Sequence, residues 1–289
     1  MAINLITKVA PKVQERLYKE SVTQGLFSNQ FSFTGANTIE VFSVDTVPLT
    51  PYDRTLNDGT EGTIGKRFGS VVELGDTKTS YTMRDRIKYN IGFDVTNNVD
   101  QNNIKTASSI ISRQDREIVI PYRDKYRLNE LAMNAGIKEY SVAATALKSN
   151  AILRTLMEAH AAMANKFVPM GKQVLFVGET NAIEMKLADQ VIGVDKIAEA
   201  PIVNGTIGKL AGFQLRIVPD TYLPEGLAFL IVTKGSAWAP SKVKTSRIIT
   251  DPEDYAGEKV QYLEYHDCFV NEARKDTIAA YWTSAEPEE

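Results

Sequence analysis

The sequence predicts an α+β chain, on three observations. Segments alternating apolar and polar residues with β-branched enrichment recur along it, one long helical pattern stands among them, and residues 145–235 alternate helix and strand like an independent α/β lobe. The 289 residues allow one large domain or two modest ones, at roughly 150 residues per domain. With 43% hydrophobic and 24% charged residues, the chain is neither disordered nor collagen-like nor coiled coil.

The N-terminal forty residues read as an arm. Ile6, Val9, Val13 and Leu17 recur at helical spacing, with Pro11 in the first turn, and the polar runs Ser28–Gln30 and Thr34–Asn37 then break the pattern. Thr38–Val44 alternates with period two and is a strand. Residues 45–75 hold Pro48, Pro51 and five glycines among mixed charges, a stretch that compact domains seldom carry without a function for it. Strand pattern returns at Thr79–Met83 and Arg86–Phe93, so residues 44–95 read as a long two-stranded excursion with a glycine-rich tip. An isolated hairpin is marginal in water, and its missing burial has to come from outside it.

A helix is expected from Asn103, as cap, to about Ala135, ended by Gly136, with Ile104, Ala107, Ile111, Ile118 and Tyr122 on one side. Its outer face is expected to be ionic, with Arg113, Asp115, Arg116, Glu117, Arg123, Asp124, Lys125 and Arg127, and Pro121 should bend it. Beyond it come a helix with stripe Ile152, Leu156, Ala159 and Met163, a buried strand Gln173–Val177, a helix Asn181–Ala188, and strands Phe213–Val218 and Leu227–Val232. Long strands close the chain at Val243–Ile249, Val260–Tyr265 and Thr277–Trp282, before an acidic tail.

Charge and chemistry exclude several classes. With 33 basic and 36 acidic side chains the net charge is −3, which argues against a protein whose main task is gripping phosphates. One cysteine forbids an intrachain disulfide and a cysteine-rich zinc site, the start shows no signal-peptide pattern, and the longest apolar run, Leu227–Val232, is far short of the roughly 20 residues that span a bilayer. Gly65-Lys66 and Gly208-Lys209 each resemble the end of a phosphate loop but lack its first glycine and its hydroxyl. His266 and Cys268 on one strand face would be a thiol–imidazole pair, yet side chains two apart in a strand stand about 6.5–7 Å apart at the backbone. No catalytic, cofactor or metal signature remains, and the chain reads as no enzyme.

Several local phrases resemble one family. Ala2–Lys8 followed by Pro11-Lys12-Val13 and Glu15-Arg16, then Asp45–Leu49, Tyr52-Asp-Arg-Thr55, Glu73–Thr77, Pro121-Tyr122 with Asp124–Arg127, and Tyr265–Phe269 are together similar to tailed-bacteriophage and prophage major capsid proteins of the Hong Kong 97-like fold. The resemblance implies an N-terminal arm (1–43), an extended loop with flanking strands (44–95), a peripheral domain with a long spine helix (96–140), an axial domain (141–235), and peripheral strands with the C-terminal tail (236–289). It implies a homo-oligomer of pentamers and hexamers in an icosahedral shell around double-stranded DNA, in a virion built in the host bacterial cytoplasm. Its expected partners are a portal, a separate scaffolding protein, since the strand at Thr38 follows no long leader, and DNA in weak non-specific contact, with no membrane and no cofactor. Tyr52, Arg54, Arg67, Asp76, Arg84 and Asp85 are the expected intersubunit contacts. Two other readings are a same-fold nanocompartment shell and a soluble hydrolase using Cys268.

Overall fold

The computed structural model describes residues 21–34, 37–52, 68, 71–100, 106–140, 142, 151–187, 206–210 and 212–283. The helical pattern Ile6–Leu17, the charged residues Arg54 and Arg67, the Asn103 cap and the acidic tail lie outside the described residues. The chain divides into two compact units, Gln30–Met83 and the remainder.

The smaller unit is an antiparallel sheet of β1 (Ser32–Thr34), β2 (Thr38–Val44) and β3 (Asp76–Thr82), in that order. Phe33 faces Ile39 across the first pair, and Val41 faces Thr79 across the second. The Asp45 N–H donates to the Gly75 carbonyl at 2.9 Å, which carries the ladder one step past the strands. Lys78 and Glu40 form an ion pair at 2.7 Å across β2 and β3. Among its described apolar side chains only Ile39 and Met83 are buried, as expected for a sheet too small to have two covered faces.

The excursion therefore differs from the expected ladder. Strand β2 pairs with β3, whereas β4 (Asp85–Asp94) belongs to the larger unit and pairs along all ten residues with β12 (Gly257–His266). The division falls between Met83 and Arg84, not after residue 95. The reason lies in the alternation of β4: Ile87, Tyr89, Ile91 and Phe93 share one face, opposite Glu264, Tyr262, Val260 and Glu258, and the rings of Tyr89 and Tyr262 stack at 4.8 Å. On the far side of β12 lies β11 (Ser241–Thr250), which completes a three-stranded sheet.

After the short α1 (Val95–Asp100), the long helical segment runs as α2 (Ala107–Gln114), a π turn (Asp115–Val119) and α3 (Ile120–Met133). Thr106 caps α2 through Ser109 in a reciprocal capping box. At the π turn the Ile120 N–H donates to the Asp115 carbonyl, five residues back, so the register shifts one residue before Pro121, which has no N–H to give. This changes which side faces inward. Ile118 and Tyr122, expected on the apolar stripe, are exposed, while Val119, Leu128, Leu131 and Ala132 are buried. Asp124, expected on the solvated face, is buried as well.

The rest of the larger unit is built on a six-stranded mixed sheet in the order β5-β14-β9-β6-β8-β7. Its strands are β5 (Ile137–Glu139), β6 (Gln173–Gly178), β7 (Thr206–Leu210), β8 (Phe213–Val218), β9 (Leu227–Thr233) and β14 (Ile278–Trp282). Every residue of β6 and β9 is buried, which explains why both read as unbroken apolar runs rather than alternating ones. One face packs Leu175, Val177, Phe229 and Ile231 with Leu156 and Met163 of α4 (Ala151–Asn165). The other packs Val174, Phe176, Leu230 and Val232 with Leu128, Leu131 and Ala132 of α3 and with Leu26. Because β5 and β14 lie in this sheet, it continues across the expected boundaries at residues 140 and 235.

Candidate assembly surfaces

Buried ions on the inward side of α3 hold the segment at 21–29. Asp124 accepts the hydroxyls of Ser21 at 2.7 Å and Thr23 at 2.6 Å and the N–H of Val22 at 2.8 Å. Arg216 on β8 donates to the carbonyls of Val22 at 2.6 Å and Gln24 at 3.1 Å, and Arg127 lies over the Phe27 ring. Gly235 and Ser28 then extend the attachment through backbone bonds to Leu26 and Ala237. Burial pulls the guanidinium pKa values of Arg127 and Arg216 down, and the Asp124 carboxylate works against that shift in both. A loop segment with few apolar residues is thus fixed by charge-assisted bonds, the stronger class of hydrogen bond.

A second ionic cluster joins α3, β4 and β12. Glu264 is fully buried, paired with Arg123 at 3.0 Å, and it accepts the hydroxyls of Tyr262 at 2.5 Å and Ser241 at 3.2 Å. Burial alone would raise its carboxyl pKa, but the Tyr262 hydroxyl and the Arg123 charge outweigh it and hold the group below its ordinary value. Beside it, His266 is fully buried with its Nε2 3.2 Å from Asp85, without the alignment of a hydrogen bond. Burial pushes the imidazole pKa down, and nearby Arg127 and Arg123 add to that while Asp85 and Glu264 oppose it. Asp267 accepts the Arg84 N–H at 2.7 Å and the Tyr126 hydroxyl at 2.8 Å. The first residue of the larger unit after the small sheet is therefore held by a buried carboxylate.

The smaller unit offers the opposite chemistry. Phe42 and Val44 of β2, and Val47, Leu49, Val71, Val72 and Leu74 beyond it, are all exposed, Leu49 and Val71 almost completely. Scattered surface hydrophobics need no explanation, but apolar side chains grouped in water along one unit, as among the described residues here, are the chemistry of an interaction surface.

Of the six expected contact residues, Tyr52 is half exposed with its ring 5.1 Å from that of Phe68, and Asp76 opens β3 in solvent. Arg84 keeps its side chain in solvent while its backbone is bound to Asp267. Asp85 is turned inward, facing His266 and accepting from the Tyr122 hydroxyl at 3.3 Å. The structure thus brings Arg84 and Asp85 to the ionic cluster and leaves Tyr52 and Asp76 in the small unit. The buried, anchoring roles of Asp124, Glu264, His266 and Asp267 were not read, because nothing in a single sequence separates a buried charge from a solvated one at the same helical or strand spacing.

The thiol–imidazole pair does not form as a strand pair. Strand β12 ends at His266, and Cys268 follows in the connection to β13 (Phe269–Val270), which pairs with β10 (Ala237–Trp238). The thiol is buried, and burial raises its pKa far above the range in which a thiolate nucleophile forms. Among the described residues no group of three His, Cys, Asp or Glu side chains is placed to hold a metal, and no helix is long and apolar enough to cross a membrane.

No family model matches the chain, and no curated protein matches it by sequence. Solved structures do match it nearly end to end. A Mycobacterium phage Che8 structure superposes with a TM-score of 0.70 at 16% identity over 97% of this chain and 98% of that one. The capsid structure of cyanophage P-SCSP1u gives 0.72 at 15% identity over 98% and 94%. The mature capsid of bacteriophage PhiM1 gives 0.68 at 10% identity over 99% and 93%. A virus-like particle from Pyrococcus furiosus matches less closely, with 0.52 at 12% identity over 85% and 86%. From end to end, this chain has the α+β fold of phage capsid structures.

Proposed function

We propose that the chain is a major capsid protein of a tailed phage or prophage, many copies of which close into an icosahedral shell around packaged double-stranded DNA. The observation that carries this reading is the near-complete superposition, in both directions, on chains from phage capsids. The smaller unit supports it independently, because its exposed apolar side chains call for a partner surface. Each such side chain, once covered by a neighbouring copy, contributes about 1.5–3 kcal/mol. Contacts of that size are individually reversible, so misplaced subunits can leave, and they become stable when each copy touches several neighbours. A net charge of −3 suits a container that encloses DNA without adhering tightly to it.

In this reading residues 1–43 form the arm, 44–95 the extended loop with its flanking strands, 96–140 and 236–289 the peripheral domain, and 141–235 the axial domain at the centre of pentamers and hexamers. Tyr52, Arg54, Arg67, Asp76 and the Arg84 side chain are the loop contacts between copies, while Asp85 acts at the loop root through His266. A portal and a separate scaffolding protein are the further partners, the host cytoplasm is the place of assembly, and the chain has no catalytic role. The buried, protonated Cys268 weighs against the hydrolase reading. A nanocompartment shell of the same fold is the second reading; the virus-like particle from Pyrococcus furiosus matches less closely than the phage capsids do.

The test is expression of the full chain with and without the adjacent genes of its genome, followed by negative-stain microscopy and measurement of nuclease-protected DNA. Closed shells holding DNA support the proposal, and closed shells that hold protein cargo favour the second reading. A chain that stays monomeric under every condition refutes both.

A further inference from the structure

Phe167, in the turn between α4 and β6, is one of two described non-glycine residues with a positive φ. Its φ is +57°, the left-handed region that bulky L-residues avoid, and its side chain is 95% exposed. It sits just past the end of α4, where its N–H donates to the Ala164 carbonyl and the Val168 N–H to the Met163 carbonyl. This is the position that glycine or asparagine ordinarily fills at a helix end. Neither strain nor exposure of a phenyl ring benefits the subunit by itself. Met170, also exposed, lies three residues on in the same turn; Lys166 beside Phe167 is paired to Asp276, and the exposed Lys172, whose carbonyl accepts from the Lys234 N–H, closes the turn with a further cation.

At the other end of β6 the surface is concave. A cleft of about 410 Å³ opens where β6 passes into α5 (Glu179–Leu187), with Leu223, Pro224 and Leu227 in its wall and Asp220, Thr221 and Glu225 around them. An apolar cavity of about 150 Å³ already accepts benzene, so this one has room for a phenyl ring. No cation lines it. Asp220 is engaged by the Thr180 hydroxyl at 2.6 Å, and Glu179 and Glu225 are exposed. One end of the sheet thus carries a basic aromatic knob and the other an acidic cleft, separated by the length of β6, about 20 Å.

A knob and a cleft at opposite ends of one body cannot meet within a copy, and a contact between two copies leaves one of each free. That is the heterologous arrangement, which closes into a ring when its rotation permits. We propose that Phe167 of one copy seats in the Leu223–Leu227 cleft of the next, with lysines facing Asp220 and Glu225, so that this contact links copies head to tail around a capsomer. The occupant is a second copy because the charges of the two ends are complementary and the strain at Phe167 has no use inside the subunit. The inference rests on the shell reading above and assigns one of its contacts.

The test uses two variants of the full chain. Phe167→Gly removes the knob and relieves the backbone, and Thr221→Trp fills the cleft from an exposed position, with Glu225→Trp as the alternative filler should the first not fold. Circular dichroism melts check folding, and sedimentation velocity with microscopy reads assembly. The expected results are a Phe167→Gly subunit that melts at or above the wild-type temperature, and self-association weakened about thirty-fold in each variant, the scale of losing an aromatic anchor. Mixed together, the two should form 1:1 pairs across the one intact knob and cleft, which neither forms alone. If Phe167→Gly lowers the melting temperature and leaves association unchanged, the ring is covered by its own chain and the inference is wrong. Particles made normally by both variants also overturn it, while the shell reading stands. A wild-type chain that never associates overturns both.

Discussion

Replacing Asp124 by alanine tests whether buried charge, and not apolar packing, holds the segment at 21–29. The change removes the acceptor from three donors at once, the hydroxyls of Ser21 and Thr23 and the N–H of Val22, all within 2.8 Å. Ser21 and Val22 are partly accessible, so water replaces the carboxylate there and each loses about 0.5–1 kcal/mol. Thr23 is fully buried and keeps only longer contacts, to Ser21 and Arg127 at 3.3 Å, so losing its 2.6 Å bond to the carboxylate costs about 1–3 kcal/mol. Arg127 and Arg216 also lose a neighbouring counter-charge, which brings the expected total to about 3–5 kcal/mol. The loss should appear as local opening. Amide hydrogen exchange reads it at Ser28 and Gly235, whose N–H groups bond Ala237 and Leu26 and not Asp124 itself. Their protection should fall by roughly two to three and a half orders of magnitude, since about 1.4 kcal/mol is a factor of ten. Asp124→Asn, which keeps an acceptor, should lose about half as much in free energy, roughly 2 kcal/mol. A drop of less than tenfold in the alanine variant would mean that Leu26 and its apolar neighbours hold the segment without the carboxylate.

His266 makes stability depend on mild acid. Its folded pKa lies below the ordinary 6.5, so the unfolded chain binds the proton first, and stability is full above 6.5 and falls as pH drops towards the folded value. Urea midpoints measured from pH 8 to pH 5 should decline in the wild type and flatten in His266→Gln. Glu264, held below its ordinary 4.5, stabilises above that pH and ceases to do so only as pH falls further, so Glu264→Gln should flatten a separate, more acidic limb. Gly136→Ala should destabilise by about 1–3 kcal/mol in urea denaturation, because the added Cβ would lie 2.5 Å from the backbone of Lys275, which cannot swing aside. Cys268 should resist iodoacetamide in the folded chain and react on unfolding; rapid labelling of the native protein by mass spectrometry would contradict its burial.

Strands were legible from local pattern. Thr38–Val44 shows its β-branched strand pattern although Ile39 is its one buried side chain, and Gln173–Gly178 and Leu227–Thr233 read as apolar runs because both of their sides are covered. Pairing was less legible. Arg86–Phe93 follows the strand at 79–83 closely enough to suggest a continuous hairpin, and only the match to β12, more than 160 residues later, draws it elsewhere. The helical segment was legible in extent but not in orientation, since Ile104, Ile111 and Ile118 keep a seven-residue period that the π turn interrupts. The candidate contacts divide along the same line. Exposed aromatics and glycine-rich composition mark the loop in the sequence, whereas the carboxylates that fasten its root are visible only once α3, β4 and β12 are brought together.

The π turn also has an arithmetic of its own. It stores one residue beyond what an α-helix of the same rise would use, so the two halves of the rod are out of phase by about 100°. Excising Arg116, whose side chain is in solvent, would let the ladder run unbroken from Thr106 and rotate everything before it by that angle, carrying Ile111 and Lys244's partner Asp115 round the axis together. A single codon therefore sets which residues the first half of this rod presents to whatever lies alongside it.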